Sequence, residues 1–338
     1  MRGVVLRAAR LMGRFEPVTP EMRQSCKTVS VRYFGDVPAD NRGLAPREQH
    51  RQDFILDRPS VEIAKDILYS PAGMAWREKT LIEKYSFRPP SVKQLFERPQ
   101  KKRTLEEACI VESTVNFTYG DWVHCVLGTI LRNAPLPSPL SLPKVIADKP
   151  YVRRDLKLAG IDVQITDEWT LIKKAHVLRK QTPLTYWTKD EVSAYQKTFA
   201  PDRDAPAQGS IAYFGRFDIK SEVHARAFPS AEAAEAVKRL GGSIEKQEKL
   251  TAETAAQYAG GVDTVIADHG SGVLNIMHWR TKNLIELVVD QWWVNNSLFV
   301  AAECGVENIG VIDVDGLNSD QIEEKLRACL EYFAGGAG

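Results

Sequence analysis

The chain lacks paired cysteines. Its five thiols, Cys26, Cys109, Cys125, Cys304 and Cys329, are scattered without a CxxC pair or an even framework, which argues against a disulfide scaffold or zinc site and for a reducing compartment. Net charge is also missing, because 45 Lys and Arg stand against 44 Asp and Glu. No global field therefore draws in nucleic acid or another polyanion, and any charge that matters is local. Nowhere do eighteen apolar residues run together, so no segment reads as a membrane-spanning helix. Acids are absent from the first fifteen residues, MRGVVLRAARLMGRF, and four arginines break the apolar run that a signal peptide needs. Arg7, Arg10 and Arg14 share one helical face there, opposite Val4, Leu11 and Phe15. Such a segment can lie on an anionic membrane surface or be an ordinary surface helix, so the expected location is cytoplasmic, with peripheral contact to the inner membrane face left open.

What is present is an ordinary globular composition, 43% apolar and 26% charged over 338 residues, enough for one large or two medium domains. Residues 1–105 have Pro-containing joints and charged stretches in which only short helices can be placed, and they are grouped with the first domain. From 106 to 200 the pattern sharpens into ACIVES (108–113), a helix DWVHCVLGTILRN (121–133), a strand KVIAD (144–148), a helix over 151–159 closed by Gly160, and strands DVQIT and LIKKAHVL. The polar linker FAPDRDAPAQGS (199–210) separates this block from a second, 208–335. There the strand IAYFG (211–215), a helix from a possible N-cap at Ser230 to Gly241 and Gly242, and a helix 252–259 come first. Strands DTVIA, NLIELVV and NIGVIDV then alternate with helices around NNSLFVAAEC and QIEEKLRACLEYF. Alternation of this kind predicts α/β domains on doubly wound parallel sheets, and two of them facing each other would enclose a ligand cleft.

The stretch ADHGSGVLNIMHW (267–279) puts an acid, a histidine and two glycines where a strand passes into a helix. Ligands of open parallel sheets bind at the carboxyl ends of the strands, where helix N-termini present N–H groups and positive dipole ends. A phosphate suits that place. Gly270 and Gly272 permit close backbone approach, while Ser271 and His269 add donors. The same glycines also serve tight turns. The dinucleotide pattern GxGxxG fails because Asn275 stands at its third glycine, and neither GxxxxGK[ST] nor the hydrolase elbow GxSxG occurs. HGSG is similar to the oxyanion loop of some esterases, which leaves Ser271 open as a donor or nucleophile.

The segment from IAYFGR through ADHGSGVLNIMHWRTKNLIELV resembles the C-terminal half of glycosyltransferase family 61, whose pattern runs from a strand ending in arginine to HGAGLTN and then to a strand ending in Glu-Leu. Arg216, His269, Gly270, Ser271, Gly272, Asn275 and Glu286 match it. Upstream, NFTYGDWVHCVL resembles the family's N-terminal signature at Asn116 or Gly120 and at His124. The resemblance covers roughly residues 105–290. It departs at Arg226, which is followed by Pro229 and Ser230 where the family has Asn-Glu, at Ser271, where alanine is commoner, and at Cys125, where an aromatic is frequent.

The resemblance implies a GT-B architecture and inverting transfer of a sugar from a UDP-sugar or another nucleotide-sugar to a hydroxyl of a glycan or glycolipid, as in capsule or other bacterial surface polysaccharide assembly. Inverting transfer needs a base for the acceptor hydroxyl and a cationic or dipolar site for the departing diphosphate. The HGSG turn, Arg216 and Lys220 are assigned to the diphosphate, with Asn275 a further donor contact and Glu286 an acceptor for ribose hydroxyls. His124 is the candidate base and Asp121, three residues earlier, its orienting carboxylate, since α-helical spacing would put both on one face. Asp121 can equally cap that helix and His124 can be a core residue. His224 and His278 read as structural or surface residues. Asp313 and Asp315 form a DxD, but it falls in the last strand-to-helix loop, so no metal and no cofactor beyond the co-substrate is expected. Trp187, Trp279, Trp292 and Trp293 can stack on a ligand or pack in the core. Two other readings stay open, a non-catalytic nucleotide-sugar or glycan binding module and a dinucleotide-dependent oxidoreductase.

Overall fold

The computed structural model describes residues 15–16, 24–34, 37, 49–55, 60–87, 91, 93–98, 100–113, 119–180, 187–200, 210–217, 228–246, 262–289 and 296–335. Two compact units emerge, Met1–Ser25 with Asp53–Ala194, and Cys26–Gln52 with Tyr195–Gly338. Both belong to the α/β class. Residues 26–52 thus group with the C-terminal unit rather than with the first, and the division falls inside the helix Lys189–Phe199 rather than in the polar linker. The basic segment 1–14 and the helix expected at 252–259 lie outside the described residues. Among the described residues no helix is long and apolar enough to cross a membrane.

In the N-terminal unit eight described strands form one mixed sheet. Its spatial order is Phe15–Glu16, Thr80–Ile82, Ala75–Arg77, Val61–Tyr69, Thr170–Leu178, Arg103–Val111, Leu140–Pro143 and Val163–Thr166. Thr170–Leu178 runs antiparallel to Val61–Tyr69 and parallel to Arg103–Val111. Strands therefore stand where short helices were expected in the first hundred residues. In VEIAKDILY the charged Lys65 and Asp66 are exposed while Ala64, Ile67 and Tyr69 are buried, so the strand is only partly covered and its apolar signal is diluted. KVIAD is a second departure, a short helix Lys144–Ala147 instead of a strand. Pro143 takes the extended N-cap conformation, and the following turn buries Ile146 and Ala147 while exposing Lys144 and Val145. The helix Pro150–Leu158 ends before Gly160, whose φ of +64° suits the turn.

The helix expected over 121–133 exists but changes pitch: Tyr119–Asp121 is α-helical, Trp122–Leu127 is π-helical, and Gly128–Arg132 is α-helical again. Gly128 lies where a Cβ would come within 3.1 Å of the Trp187 ring. Trp187 is thereby a buried core residue.

The C-terminal unit holds strands β1 (Arg32–Phe34), β2 (Ile211–Gly215), β3 (Ser243–Lys246), β4 (Thr264–Asp268), β5 (Asn283–Val288) and β6 (Asn308–Asp313). Their spatial order is β3-β2-β4-β5-β6-β1, and every pairing is parallel. The runs AYFG, TVIAD and LIELV are buried along their length, as strands covered on both faces must be. On one face Tyr213, Ile266, Ile285, Leu287 and Ile312 pack with helix α1 (Ser230–Arg239) and helix α3 (Ser319–Gly335). Phe214 points the other way and stacks on Trp279 at 4.3 Å, so that tryptophan too is core. Helix α2 (Asn296–Glu303) packs beside the short helical segment that precedes Trp279.

Gly310 in β6 lets α3 sit close to the sheet. A Cβ there would stand 2.7 Å from Cys329 Sγ and 3.2 Å from the Phe333 ring. Gly310→Ala should lower unfolding stability by about 1–3 kcal/mol, the usual cost of overpacking. In a Cys329→Ala background the same change should cost clearly less, and chemical denaturation of the four proteins of this cycle measures both effects.

Candidate functional site

In the C-terminal unit the chain places β3 on one side of β2 and β4 on the other. The connections leaving the carboxyl ends of β2 and β4 therefore diverge, which opens the crevice that parallel sheets use for ligands. Arg216 follows β2 directly and His269 follows β4 directly. Both candidate cation positions thus flank the strand-order reversal.

Asp268, the last residue of β4, fastens this end of the sheet. Its side chain is buried and accepts three hydrogen bonds: Tyr213 Oη donates to Oδ1 at 2.7 Å, and the Arg216 backbone N–H and Ser230 Oγ donate to Oδ2 at 2.8 and 2.6 Å. Ser230 is consequently not an N-cap. Pro229 occupies that position, and the serine hydroxyl reaches sideways to the sheet. Burial pushes the Asp268 carboxyl above its ordinary range, against the pull of the three donors.

The turn beyond it needs its first glycine. Gly270 has φ 150° and ψ −173°, a region that side chains rarely tolerate. A Cβ would also stand 3.1 Å from Arg216 Nη1, which donates to the His269 carbonyl at 3.1 Å. Arg216 thus closes over the backbone of the turn, with its guanidinium 5.7 Å from the Phe228 ring centre. A 3-10 helix, Ser271–His278, starts immediately after, and the first N–H groups of such a helix have no partner within it.

His269 itself is 5% exposed and its Nδ1 lies 2.5 Å from Glu286 Oε1. Glu286 is fully buried in β5, and Ser297 Oγ of α2 donates to both its oxygens, at 3.1 and 2.8 Å. Parallel register makes this meeting possible, because Ala267 is paired with Glu286 and the His269 N–H extends the ladder to the Leu287 carbonyl. The carboxylate expected to accept ribose hydroxyls is therefore engaged inside the protein, where it fixes the imidazole. Asn275 is also buried, and its amide donates to the Gly272 carbonyl at 3.0 Å, bracing the 3-10 turn from within. Arg216, His269, Gly270, Gly272, Asn275 and Glu286 are thus brought together. Lys220, His224, Arg226, Trp292, Trp293 and Asn116 lie outside the described residues, as does the side chain of Ser271.

In the N-terminal unit Asp121 is half-buried and directly precedes the π-helical turn that carries His124, whose side chain is outside the described residues. Burial pushes the adjacent Cys125 thiol up to about 12, which keeps it protonated and unreactive near neutral pH. Asp313 and Asp315 hold each other in a loop turn, the Asp315 N–H donating to Asp313 Oδ1 at 3.1 Å. No group of three or more His, Cys, Asp or Glu is placed to hold a metal among the described residues. His278 is fully buried, with Nε2 2.9 Å from Tyr195 Oη.

Sequence reasoning missed Asp268, Tyr213, Ser230 and Ser297 as parts of the site. It also missed a buried ionic network at the carboxyl ends of the paired strands Arg103–Val111 and Thr170–Leu178. Arg179 donates to Glu112 at 3.1 Å and to Glu62 at 2.7 Å, and Lys180 lies 3.3 Å from Glu191. One signal was available, the T-x-x-E of Thr188 and Glu191. These residues form a reciprocal capping box, with N–H to side-chain distances of 3.0 and 3.1 Å.

Set against protein-family models and against curated proteins, the chain matches none.

Asp268→Ala removes the acceptor that three donors share and should cost about 2 kcal/mol or more of stability. Asp268→Asn keeps one acceptor and should cost less. Since the folded-state carboxyl is raised, its contribution to stability is fully present below the ordinary aspartate value of about 4 and is lost as pH rises through the raised value. The stability advantage of the native protein over Asp268→Asn should therefore shrink between pH 4 and pH 7 in urea titrations; an advantage that grows with pH would refute that sign.

Proposed function

We propose that the protein is an inverting glycosyltransferase resembling family 61, with its two units as the halves of a GT-B enzyme and a nucleotide-sugar bound by the C-terminal one. A single observation carries this reading: Arg216, the His269–Gly270 turn and the start of a 3-10 helix converge at the strand-order reversal of an all-parallel sheet. Departure of a nucleoside diphosphate leaves negative charge on oxygens, and preorganised cations and N–H groups stabilise such charge without having to reorganise. Arg216 supplies a fork that matches phosphate geometry. The turn supplies backbone N–H groups at the positive end of a helix. Glu286, held by Ser297, keeps the Nδ1 side of His269 occupied, so that the Nε2 side serves the ligand. In this reading Glu286 positions the histidine rather than touching ribose. Lys220 and Ser271 complete the diphosphate contacts.

The acceptor hydroxyl, on a glycan or glycolipid of a bacterial surface polysaccharide, loses its proton to His124, and no metal is required. The assembly works on the cytoplasmic side, with the basic N-terminal segment in peripheral contact with the inner membrane. One rival is a module that binds the nucleotide-sugar without transferring it, favoured by Pro229 and Ser230 standing where the family has Asn-Glu.

A panel of nucleoside diphosphates and their sugars, each present at about a hundred times its dissociation constant, should include one that stabilises the protein by nearly 3 kcal/mol, with or without a chelator. Arg216→Ala and His269→Ala should remove that stabilisation. His124→Ala should retain it while abolishing sugar transfer; binding with no turnover on any acceptor selects the binding module instead. If no nucleotide shifts the transition, the crevice is not a diphosphate site.

A further inference from the structure

The outer edge of the N-terminal sheet carries a groove that the proposed transfer chemistry does not use. The helix Pro150–Leu158 and the edge strand Val163–Thr166 are joined through Gly160, and they stand apart around a cavity of about 480 Å³. Its walls are apolar: Ala147, Val152, Leu156, Ile161, Val163 and Ile165. Protein interiors rarely leave voids larger than a water molecule, whereas clefts of this size are typical of small-ligand sites.

Among the described residues five large hydrophobic side chains are exposed, and one of them, Ile165, lines this groove.

The mouth carries charges of both signs. Arg153 and Lys157, one helical turn apart, both line the opening and are exposed, and Lys144 is exposed on the preceding helix. Arg153 is paired with Asp148, and Asp162 is the acid of the lining. The Lys157 ammonium makes no ion pair or hydrogen bond among the described residues, although its backbone carbonyl accepts from Gly160. An apolar floor beside an unpaired ammonium matches a hydrocarbon chain that ends in a phosphate, the pattern by which peripheral proteins hold anionic lipids.

We propose that this groove binds the acyl chain of an anionic phospholipid, with the phosphate at Lys157. The chain fills the apolar cavity, and the headgroup replaces water around the Lys157 ammonium. The proposal does not rest on glycosyl transfer, since none of the groove residues belongs to the crevice of the other unit.

The test titrates the full-length protein with n-alkyl phosphates of increasing length, each below its critical micelle concentration, beside inorganic phosphate and alkyl maltosides of the same lengths. Affinity for the phosphates should rise about fourfold per methylene, the factor that corresponds to burying each CH₂, until the cavity is full. Inorganic phosphate should not bind measurably. Lys157→Glu should weaken alkyl phosphates at least tenfold and leave the maltosides within about twofold. Ile165→Glu should abolish binding of both and release the protein from phosphatidylglycerol vesicles, while Ile63→Glu, at another exposed apolar position of the same sheet, should change neither. Thermal midpoints of the variants, all made at exposed positions, identify any that fail to fold, and Lys157→Glu then decides independently of Ile165→Glu. Affinity independent of chain length, equal binding of phosphates and maltosides, or capture of an extended peptide that alkyl phosphates do not displace would each overturn the proposal, the last by making the edge strand a pairing surface.

Discussion

A buried carboxylate with three donors holds the C-terminal unit in working order. Burying a charge is costly unless hydrogen bonds satisfy it, and Asp268 is satisfied from three separate places: the strand residue Tyr213, the backbone just past that strand at Arg216, and the first residue of the following helix, Ser230. None of those places is adjacent in sequence to Asp268. The carboxylate therefore ties the end of β4 to the end of β2 and to the start of α1, and it sets the spacing across which Arg216 reaches the His269 carbonyl. Loss of this one acceptor would loosen the strand ends, the arginine and the turn together.

Glu286 shows a different use of the same chemistry. It too is buried and doubly engaged, but its partners are a histidine and a serine, so it orients a titratable ring instead of joining backbone segments. The two carboxylates lie on neighbouring strands, and together they leave the turn between them little freedom. The N-terminal unit repeats the preference for buried ions at strand ends, with Arg179 and Lys180 each satisfied by glutamates. There the ions bond to one another across separate elements, which gives rigidity.

How much of this was legible depended on the neighbours each segment acquires. The strands of the C-terminal unit are continuous apolar runs because helical segments cover both their faces, and IAYFG, TVIAD and NLIELV were readable for that reason. Val61–Tyr69 was not, since much of its length meets water and its charges break the run. KVIAD was ambiguous in principle: four apolar-rich residues fit one helical turn or a short strand equally well, and Pro143 decided for the helix. At the site, His269 and the two glycines stand in one motif and Arg216 directly follows an apolar run, so these positions were legible locally. The Glu286 contact to His269, the sideways reach of Ser230 and the π-helical pitch beneath His124 arise from register and packing, which no local pattern encodes.

The edge strand β1 has a consequence for how the protein is made. Arg32–Phe34 pairs with β6, its residues aligned with Gly310, Val311 and Ile312, and Phe34 meets Tyr332 of the last helix at 6.2 Å. On the ribosome Arg32–Phe34 emerges well before its partner Gly310–Ile312. The first unit is thus made while this early strand of the second unit waits unpaired, and closing so long a loop becomes a late step. Cutting the gene at the linker to express the C-terminal half alone would leave β6 as a bare edge, open to pairing with other chains.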